Sequence, residues 1–240
     1  MQLFFIRHAQ SFNNALWERT GSSNGRSEDP ELTETGIKQA KILAKQFAHS
    51  ASDQEGLNHN AWKKEELHLT HLYTSLMIRA VSTGIEVAKC AGLKLMAWPD
   101  IHEGGGIFVE DPETGVRVGR AGKRRRFFEE NYPELILPPN LEEGGWWNRP
   151  HESTEECEAR ARMVIDTLLS RHGSGSDRVA MISHVGFYNV FLRVLFQIPE
   201  QAAVWFALNN CGITRIDFAK GEMGLVYANR LDFMPVDLIS

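Results

Sequence analysis

The chain has 240 residues, of which 42% are hydrophobic and 24% charged, the composition of a globular protein with a substantial core. This composition excludes disordered, collagen-like and disulfide-rich chains. Lys and Arg number 26 against 31 Asp and Glu, and the resulting net charge of -5 excludes a global attraction to nucleic acid or acidic membranes.

The first half of the chain predicts strands that alternate with helices. Leu3–Ile6 is a short apolar run typical of a strand buried on both faces of a sheet, and a polar loop follows it. Apolar positions at helical spacing behind a capping threonine predict a helix over about 33–49. After a polar stretch, 53–66, the order repeats as a strand over 67–73 and a helix over 80–91 that a glycine closes.

The second half begins with a predicted strand over 93–98, which a proline ends. Periodicity is lost from about 104 to 150, where prolines, glycines and a basic cluster indicate an insertion placed over the sheet edge. Helical spacing returns over 152–171. A strand over 178–183 and a helix over 187–196 follow it.

The last segments, 212–218 and 225–231, alternate in polarity around Lys220-Gly221-Glu222, which is typical of an antiparallel pair. Strands that alternate with helices predict an α/β protein with a three-layer α/β/α arrangement and a mixed, mostly parallel sheet. We expect a single domain over residues 1–240, with an insertion or cap at about 104–150.

The cysteines and the N-terminal residues bear on location. Cys90, Cys157 and Cys211 form neither a CxxC pair nor a metal-ligand spacing, and are typical of small buried apolar residues in a reducing compartment. The apolar run at the N-terminus is too short for a signal peptide. No stretch approaches the ~20 apolar residues of a membrane span. We therefore expect a cytoplasmic protein without membrane or nucleic-acid partners.

Cationic and acid-base side chains follow each predicted parallel strand. In chain order they are Arg7 and His8, then Ser75 and Arg79, then His102 and Glu103, and finally His184. Because ligands of open α/β sheets bind at the carboxyl ends of the strands, we expect these side chains to meet in one site.

The residue types in this predicted site suit phosphoryl transfer. Arginine offers a planar fork of donors to phosphoryl oxygens. A neutral imidazole is a competent nucleophile near physiological pH, whereas a protonated one donates to phosphoryl oxygens. The helix after His184 adds backbone N–H groups at Val185 and Gly186. A glutamate beside a phosphoryl dianion can protonate a leaving alkoxide.

Several short motifs contain these residues. They are Phe5–Ser11 (FIRHAQS) followed by Asn14, Asp29–Gly36 (DPELTETG), Thr74–Thr83 (TSLMIRAVST), His102-Glu103, and Ser183–Gly186 (SHVG). Together they resemble the RHG/RHA, D-x-P-L-T-x-x-G and S-x-L-x-R-A-x-x-T elements of the histidine phosphatase superfamily, in its phosphoglycerate-mutase-like branch.

The resemblance implies a mixed α/β/α sheet and metal-free phosphoryl transfer without a cofactor. It implies a covalent phosphohistidine on His8, with Glu103 as the proton donor. The side chains that it assigns to holding the phosphoryl group are Arg7, Arg79, His184 and, in support, Asn14.

Two features depart from the family pattern. The Asp-Pro-Glu-Leu-Thr order at 29–33 is shifted relative to the usual spacing. Gly104–Phe108 follows the acid glutamate, where mutases of the family carry a tyrosine and an arginine-rich substrate segment. The second departure favours a phosphatase over a mutase.

We therefore predict a phosphomonoesterase that hydrolyses a small phosphorylated metabolite. A cofactor-dependent phosphoglycerate-type mutase and a non-catalytic phospho-ligand-binding protein are the alternatives. His102 is the alternative proton donor to Glu103. The leaving group stays open, because its specificity is expected in 104–150, and so does the oligomeric state.

Three other patterns have competing interpretations. The basic run Lys123–Arg126, with two arginines upstream, is either a solvated helix face or a cap that attracts an anionic substrate. Trp146-Trp147 either form the edge of a lid or pack within the insertion. His68 and His71 form HxxH on a predicted strand, where they point to opposite faces, so we expect no shared metal.

Overall fold

A seven-stranded central sheet organises the residues that the computed structural model describes, which are 1–48, 67–199 and 201–240. The strands, in chain order, are β1 (Gln2–Arg7), β2 (His71–Thr74), β3 (Leu95–Ala97), β4 (Phe108–Glu110), β5 (Arg117–Gly119), β6 (Leu135–Ile136), β7 (Arg178–Ser183), β8 (Ile213–Ala219) and β9 (Glu222–Arg230). The central sheet has the order β6-β3-β2-β7-β1-β8-β9, and β4 pairs with β5 separately. The polar stretch predicted at 53–66 lies outside the described residues.

The helices pack on both faces of this sheet. They are α1 (Phe12–Thr20), α2 (Glu34–Ala44), α3 (Ile78–Ala91), α4 (Arg125–Asn131), α5 (Thr154–His172) and α6 (Val185–Leu195), with 3-10 turns at Lys45–Phe47, Pro99–Ile101 and Val236–Leu238. Local sequence fixes several helix starts. At α5, the Ser153 hydroxyl accepts the Glu156 N–H while the Glu156 carboxylate accepts the Ser153 N–H, a capping box.

The sheet is mixed and mostly parallel, as predicted. Strands β6, β3, β2, β7 and β1 run parallel to their neighbours, whereas β8 and β9 are antiparallel additions on the other side. Arg7 of β1 pairs with Ser183 of β7, and Thr74 of β2 pairs with Ile182 of β7. This register ends three strands at one edge of the sheet, so the residues that follow them are neighbours in space.

Alternation along β1 divides the core into two clusters. Phe4 and Ile6 contribute to the cluster under α2 and α3. Leu3 and Phe5 point to the opposite face and pack under α5 and α6. All four side chains are fully buried. Burial of each side chain stabilises the folded state by about 1.5–3 kcal/mol. Strand β1 therefore contributes to the core on both faces of the sheet.

Two elements differ from the sequence prediction. Residues predicted as a polar loop after β1 form α1, which has no buried residue and therefore lacks the apolar stripe that periodicity detects. The insertion at 104–150 is not confined to the outside of the sheet. Its strand β6 pairs in parallel with β3 at the sheet edge, and Phe128 of α4 is fully buried in the core.

The cysteines and the helix lengths complete the description. Cys157 and Cys211 are buried, as expected, whereas Cys90 is exposed on α3, contrary to the prediction. Among the described residues, no helix has both the length and the apolar character that crossing a bilayer requires.

Truncating the centre of the second core cluster should destabilise the protein. Phe5 lies 5.0 Å from Tyr188 and 5.6 Å from Phe191, measured between ring centroids. We expect Phe5→Ala to lower the free energy of unfolding by about 3–5 kcal/mol in urea denaturation, because a cavity remains. Phe12→Ala removes a ring that is 59% exposed, and as the matched control it should change stability by less than about 0.5 kcal/mol. Equal effects of the two substitutions would contradict the assignment of the core.

Candidate active site

Four chain segments meet at the carboxyl edge of the parallel strands. His8 follows β1, Ser75 follows β2, Glu103 follows the turn after β3, and His184 follows β7. The His8 and His184 ring centroids are 5.0 Å apart. Arg79, from the first turn of α3, donates from Nε to His8 Nε2 over 3.1 Å. The structure therefore brings together the segments that the sequence places at strand ends.

His8 is buried with its two ring nitrogens in different environments. Nδ1 lies 2.7 Å from the carbonyl oxygen of Ala9, which can only accept, so Nδ1 carries the hydrogen. Nε2 then has a free electron pair, which accepts from Arg79. Burial first, then the charges of Arg79 and Arg7, lower the pKa of His8 well below its ordinary value. A neutral imidazole with an available Nε2 is the form that acts as a nucleophile.

His184 is also neutral, and Ser75 sets its tautomer. Burial, then the charge of Arg79 and the proximity of His8, lower the pKa of His184 well below its ordinary value. The Ser75 hydroxyl accepts the Met77 N–H at 3.1 Å and lies 2.9 Å from His184 Nε2. If Ser75 donates its hydrogen to Nε2, the hydroxyl is satisfied on both sides. His184 then carries its hydrogen on Nδ1, an atom that has no partner among the described residues.

A buried donor without an acceptor destabilises a protein by about 1–3 kcal/mol. The Nδ1–H group of His184, beside the His8 ring, is therefore a donor that an incoming oxyanion can satisfy. The sequence signal for Ser75 was its place after a strand, whereas its contact with His184 spans 109 residues and is visible only in the structure.

Two buried arginines supply positive charge beside His8. Arg7 donates from NH1 to the Leu208 carbonyl over 2.7 Å, and burial lowers its pKa. Arg79 is held between His8 and Asp29, whose Oδ1 is 3.8 Å from the Arg79 NH1 atom. Both guanidinium groups remain charged near neutral pH, because arginine is not deprotonated in proteins. The positive charges of these two guanidinium groups both act on the His8 imidazole.

Asp29, in the loop before α2, contacts Arg79. Its Oδ1 accepts the Ile78 N–H at 3.0 Å and thereby caps the start of α3, where the preceding Met77 offers no capping oxygen. Burial raises the pKa of Asp29 to about 6, and the Arg79 charge opposes that rise. Although Asp29 belongs to the DPELTETG motif, its partner Arg79 could be identified only in three dimensions.

Glu103 lies at the amino end of α6. Its carboxylate accepts the N–H groups of Gly104 at 2.9 Å and Phe187 at 2.8 Å, with Gly186 at 3.3 Å. These donors hold the Glu103 carboxyl group against the amino end of the helix. A Cβ at Gly186 would displace the Glu103 carboxylate, so glycine at this position allows the carboxylate its close approach to the helix.

This geometry corrects one expectation about backbone donors. The N–H group of Gly186, expected to bind a phosphoryl group, donates instead to Glu103. Val185 lies in the wall of the cavity, as does Glu103. His102 does not line that cavity; its ring packs edge-on to Trp147 with centroids 4.6 Å apart. Of the two adjacent candidates, Glu103 is therefore the one placed to exchange a proton with a bound ligand.

Asn14 lies on α1 beside the cavity. Its Oδ1 accepts from the Ser11 backbone and hydroxyl at 3.0 and 2.8 Å, which caps α1. Asn210 donates to the same oxygen at 3.4 Å and to the His8 carbonyl at 2.8 Å. The Nδ2 group of Asn14 makes no hydrogen bond among the described residues, so it can donate to a ligand.

The cavity in front of these groups has a volume of about 240 Å³. The side chains at the strand ends and their neighbours line it, namely Arg7, His8, Asn14, Arg79, Glu103 and Val185. The loop after α1 and the start of β4 also line it, through Arg26 and Phe108. The insertion therefore supplies one wall of the cavity.

The basic run of the insertion leads into α4, whose first residues are Arg125 and Arg126, and none of its four residues lines that cavity. Arg125 donates to the carbonyl oxygens of Leu141 and Pro138, and Arg126 pairs with Glu130 one turn along the helix at 2.6 Å. This is the arrangement of a solvated helix face with i,i+4 pairs. In this arrangement Arg125 and Arg126 do not face the cavity that contains His8.

The paired tryptophans pack the insertion. The Trp147 side chain is buried, and a Cβ on Gly106 would collide with its ring. Trp146 and Trp147 lie edge to face, with centroids 5.9 Å apart. The packing interpretation of Trp147 therefore accounts for its position.

One group of the described residues could hold a metal, and it lies at the opposite edge of the sheet. The donor atoms of His71, His172 and Asp177 fall within 4.8 Å of one another. Hydrogen bonds join His172 Nδ1 to Asp177 at 2.8 Å and His172 Nε2 to the Tyr73 hydroxyl at 3.0 Å. His71 thus meets residues about 100 positions away, in a group that does not include His68.

Comparisons with known proteins agree with this geometry. The family model described as "Histidine phosphatase superfamily (branch 1)" matches residues 3–56 and 58–230. The chain is 25% identical over 219 residues to a probable phosphoglycerate mutase of Yersinia enterocolitica, covering 91% of this chain and 85% of that protein. It is 25% identical over 238 residues to a putative phosphoserine phosphatase 2 of Hydrogenobacter thermophilus, covering 96% of each.

A solved structure has the same fold. Phosphoserine phosphatase of Entamoeba histolytica in complex with 3-phosphoglyceric acid superposes with a TM-score of 0.60 at 18% sequence identity, covering 98% of this chain and 99% of that one. This likeness supports the phosphoglycerate-mutase-like α/β fold.

The buried histidines predict that acid destabilises the protein. The folded state keeps His8, His102 and His184 neutral because their pKa values are lowered by burial, whereas the unfolded chain protonates them near pH 6.5. Since the unfolded state binds more protons, the free energy of unfolding should fall as the pH decreases from 7 to 5.5, by up to about 1.4 kcal/mol per pH unit for each histidine. The raised pKa of Asp29 offsets part of this loss, because that carboxyl takes up its proton earlier in the folded state.

Urea denaturation at several pH values measures this dependence. His8→Gln, which removes one of the three imidazoles, should make the pH dependence shallower than in the wild type. A stability that stays constant or rises between pH 7 and 5.5 would contradict the assigned protonation states.

Proposed function

The chain belongs to the histidine phosphatase superfamily, and from that membership we propose that it is a phosphomonoesterase acting on a small phosphorylated metabolite through a covalent phosphohistidine on His8. One observation carries the proposal. His8 is neutral, its Nδ1–H is held by the Ala9 carbonyl, and its Nε2 accepts from the guanidinium group of Arg79. This is the arrangement that a nucleophile needs in order to attack a phosphoryl dianion.

In the first step, the electron pair on His8 Nε2 attacks phosphorus and the bond from phosphorus to the ester oxygen breaks. Glu103, in its protonated form, gives its proton to the departing oxygen, so an alcohol leaves. The Arg79 Nε–H, which donates to His8 Nε2 in the unliganded site, turns to the phosphoryl oxygens as the new bond forms. The product is a phosphohistidine and a Glu103 carboxylate.

In the second step, the Glu103 carboxylate removes a proton from water, and the resulting hydroxide attacks phosphorus. The bond between phosphorus and Nε2 breaks, inorganic phosphate leaves, and both His8 and Glu103 return to their starting states. Glu103 thus alternates between acid and base, and the hydrogen bond from the Phe187 N–H keeps its carboxyl group in place through both steps.

Charge on the phosphoryl oxygens is stabilised by fixed donors. Arg7 and Arg79 supply two guanidinium groups, and His184 supplies the Nδ1–H that has no partner among the described residues. Electrostatic stabilisation of this kind is the main task in phosphoryl transfer, since the transition state spreads charge over three oxygens.

A mutase would share the first step but return the phosphoryl group to a substrate. The relative from Yersinia enterocolitica is named as a mutase, so the activity assay has to distinguish a mutase from a phosphatase. Net release of inorganic phosphate supports the phosphatase. Stimulation by a bisphosphorylated primer with little free phosphate supports the mutase, and ligand binding without turnover supports a binding protein.

We also propose that the protein acts in the cytoplasm and without nucleic-acid or membrane partners. The net charge of -5 and the three cysteines, none of which forms a disulfide, support this location.

The covalent step predicts a characteristic label. Incubation with a ³²P-phosphomonoester followed by acid or alkali treatment should give an acid-labile, alkali-stable label on the wild type and none on His8→Ala. His71→Ala, at the opposite sheet edge, is the matched histidine control and should keep the label. A label that persists in His8→Ala would remove His8 from the role of nucleophile.

The role of Ser75 predicts a separate effect. Ser75→Ala removes the hydroxyl that orients His184, and we expect kcat to fall about tenfold with little change in KM, because one hydrogen bond of about 1–1.5 kcal/mol is lost. ¹⁵N NMR should show the Nδ1–H tautomer of His184 in the wild type and a mixture in the variant.

Ser183→Ala is the matched control for that substitution. Ser183 is equally buried, but its hydroxyl donates to the Ile101 carbonyl at 2.7 Å and does not contact His184. A kcat loss of the same size in both variants, with an unchanged His184 tautomer, would reduce Ser75 to a packing role.

A further inference from the structure

Three side chains that can ligate a metal lie at the edge where the parallel strands begin, opposite the active site. His71 is the first residue of β2, His172 is the last residue of α5, and Asp177 directly precedes β7. One donor atom from each of them lies within 4.8 Å of the other two. Two imidazoles and one carboxylate from three separate elements thus converge on one point.

The distances within this group suit a tetrahedral ion. The Asp177 Oδ2 atom is 2.8 Å from His172 Nδ1 and 3.9 Å from His71 Nδ1. A zinc ion about 2.1 Å from each ligand sets tetrahedral ligand atoms about 3.4 Å apart. The two observed distances lie on either side of that value, and each reaches it through a shift of about 0.6 Å or less.

The backbone positions the three donors before any ion binds. His71 pairs with Val179 in the parallel register of β2 and β7, two residues beyond Asp177. The Gln2 N–H donates to the Asp177 carbonyl at 2.8 Å, which ties this residue to the start of β1. His172 is held in the last turn of α5. Donors fixed by secondary structure lose little conformational freedom when a ligand binds.

The Tyr73 hydroxyl supports a metal-bound form of His172. It lies 3.0 Å from His172 Nε2, and both side chains are buried. A hydroxyl can donate to a ring nitrogen or accept from it. When an ion takes Nδ1, the imidazole hydrogen is on Nε2 and the Tyr73 oxygen accepts it, the kind of second contact that metal-bound histidines make. His172 therefore has a partner for its other ring nitrogen in both the free and the metal-bound state.

The donor set selects the class of ion. Imidazole nitrogens suit Zn²⁺ and related transition-metal ions, whereas Mg²⁺ and Ca²⁺ prefer sites built from oxygen ligands. The side chains of His71 and Asp177 are 35% and 31% exposed, so water can reach the group and supply a fourth ligand.

We propose that His71, His172 and Asp177 bind a divalent transition-metal ion of the zinc type, with water as the fourth ligand. The bound ion ties the end of α5 to the starts of β2 and β7, and it stabilises the folded state because the unfolded chain does not bring these donors together. The site lies at the edge of the sheet opposite His8, so the inference is independent of the proposed function.

Zinc titration of the metal-free protein, read by competition with a chromogenic chelator, tests the site. His8→Gln serves as the parent protein throughout, because the neighbouring rings of His8 and His184 offer zinc a second pair of nitrogens. We expect one equivalent of Zn²⁺ to bind and Mg²⁺ not to compete with it. Co²⁺ in its place should show the visible absorption of a tetrahedral ion.

Variants of the parent protein assign the ligands. His71→Ala and Asp177→Asn each remove one ligand and should weaken zinc binding by at least about tenfold. Tyr73→Phe keeps all three ligands but removes the acceptor of the His172 Nε2–H, so it should weaken binding by about tenfold. His151→Ala, the matched histidine control in the loop before α5, should leave the affinity unchanged.

Thermal unfolding gives a second measurement. Zn²⁺ at about 100 times its Kd should raise the Tm of the parent protein by about 5–10 °C. The same zinc concentration should leave the Tm of the His71→Ala variant unchanged. A Tm that zinc does not raise in the parent protein overturns the stabilising role of the ion.

The affinities decide whether the site exists. A loss of tenfold or more in His71→Ala, with none in His151→Ala, supports it. A smaller loss in His71→Ala, an equal loss in both variants, or no zinc binding by the parent protein overturns it and leaves the three side chains as a hydrogen-bonded cluster. Circular dichroism checks that each variant is folded, and His71→Ala decides alone if Asp177→Asn does not fold, because the His71 side chain is partly exposed.

Discussion

The site depends on the compensation of one buried cation. Arg79 is buried between the His8 ring and the Asp29 carboxylate, with its Nε on His8 and its NH1 atom 3.8 Å from Asp29. A buried charge is tolerated only with a partner, and removing one partner of such a pair destabilises proteins by about 3–5 kcal/mol. Asp29 also caps α3, so the same carboxylate fixes the helix that carries Arg79. The nucleophile, the cation and the counter-ion are therefore positioned as a unit.

This compensation is incomplete, and that imbalance suits an anionic ligand. His8 and His184 are neutral, and Glu103 is engaged by the amides of α6. Arg7 and Arg26 add positive charge that no described carboxylate neutralises by direct contact. A phosphoryl group would supply negative charge here and the acceptor that the Nδ1–H of His184 lacks.

Sequence patterns predicted the elements that carry a strong apolar signal. The strand around Phe4 was predicted because it is a short apolar run buried on both faces, and the helices that pack on it because their apolar positions recur at helical spacing. Helix α1 was missed because none of its residues is buried, and its start depends on a capping box at Ser11. The edge strand β6 was missed because it has two residues and is defined by its pairing with β3.

The sequence by itself determined which chemical groups stand at the ends of the strands, because a parallel sheet places those ends together whatever the loops do. It thereby predicted that His8, Arg79, Glu103 and His184 share a site. Only the tertiary structure decided the state of each group. The tautomer of His184 and the partners of Glu103 depend on contacts between segments far apart in the chain, such as the 109 residues between Ser75 and His184. Local sequence carries no record of such contacts, since burial and hydrogen bonding at these atoms are set by whatever segment folds against them.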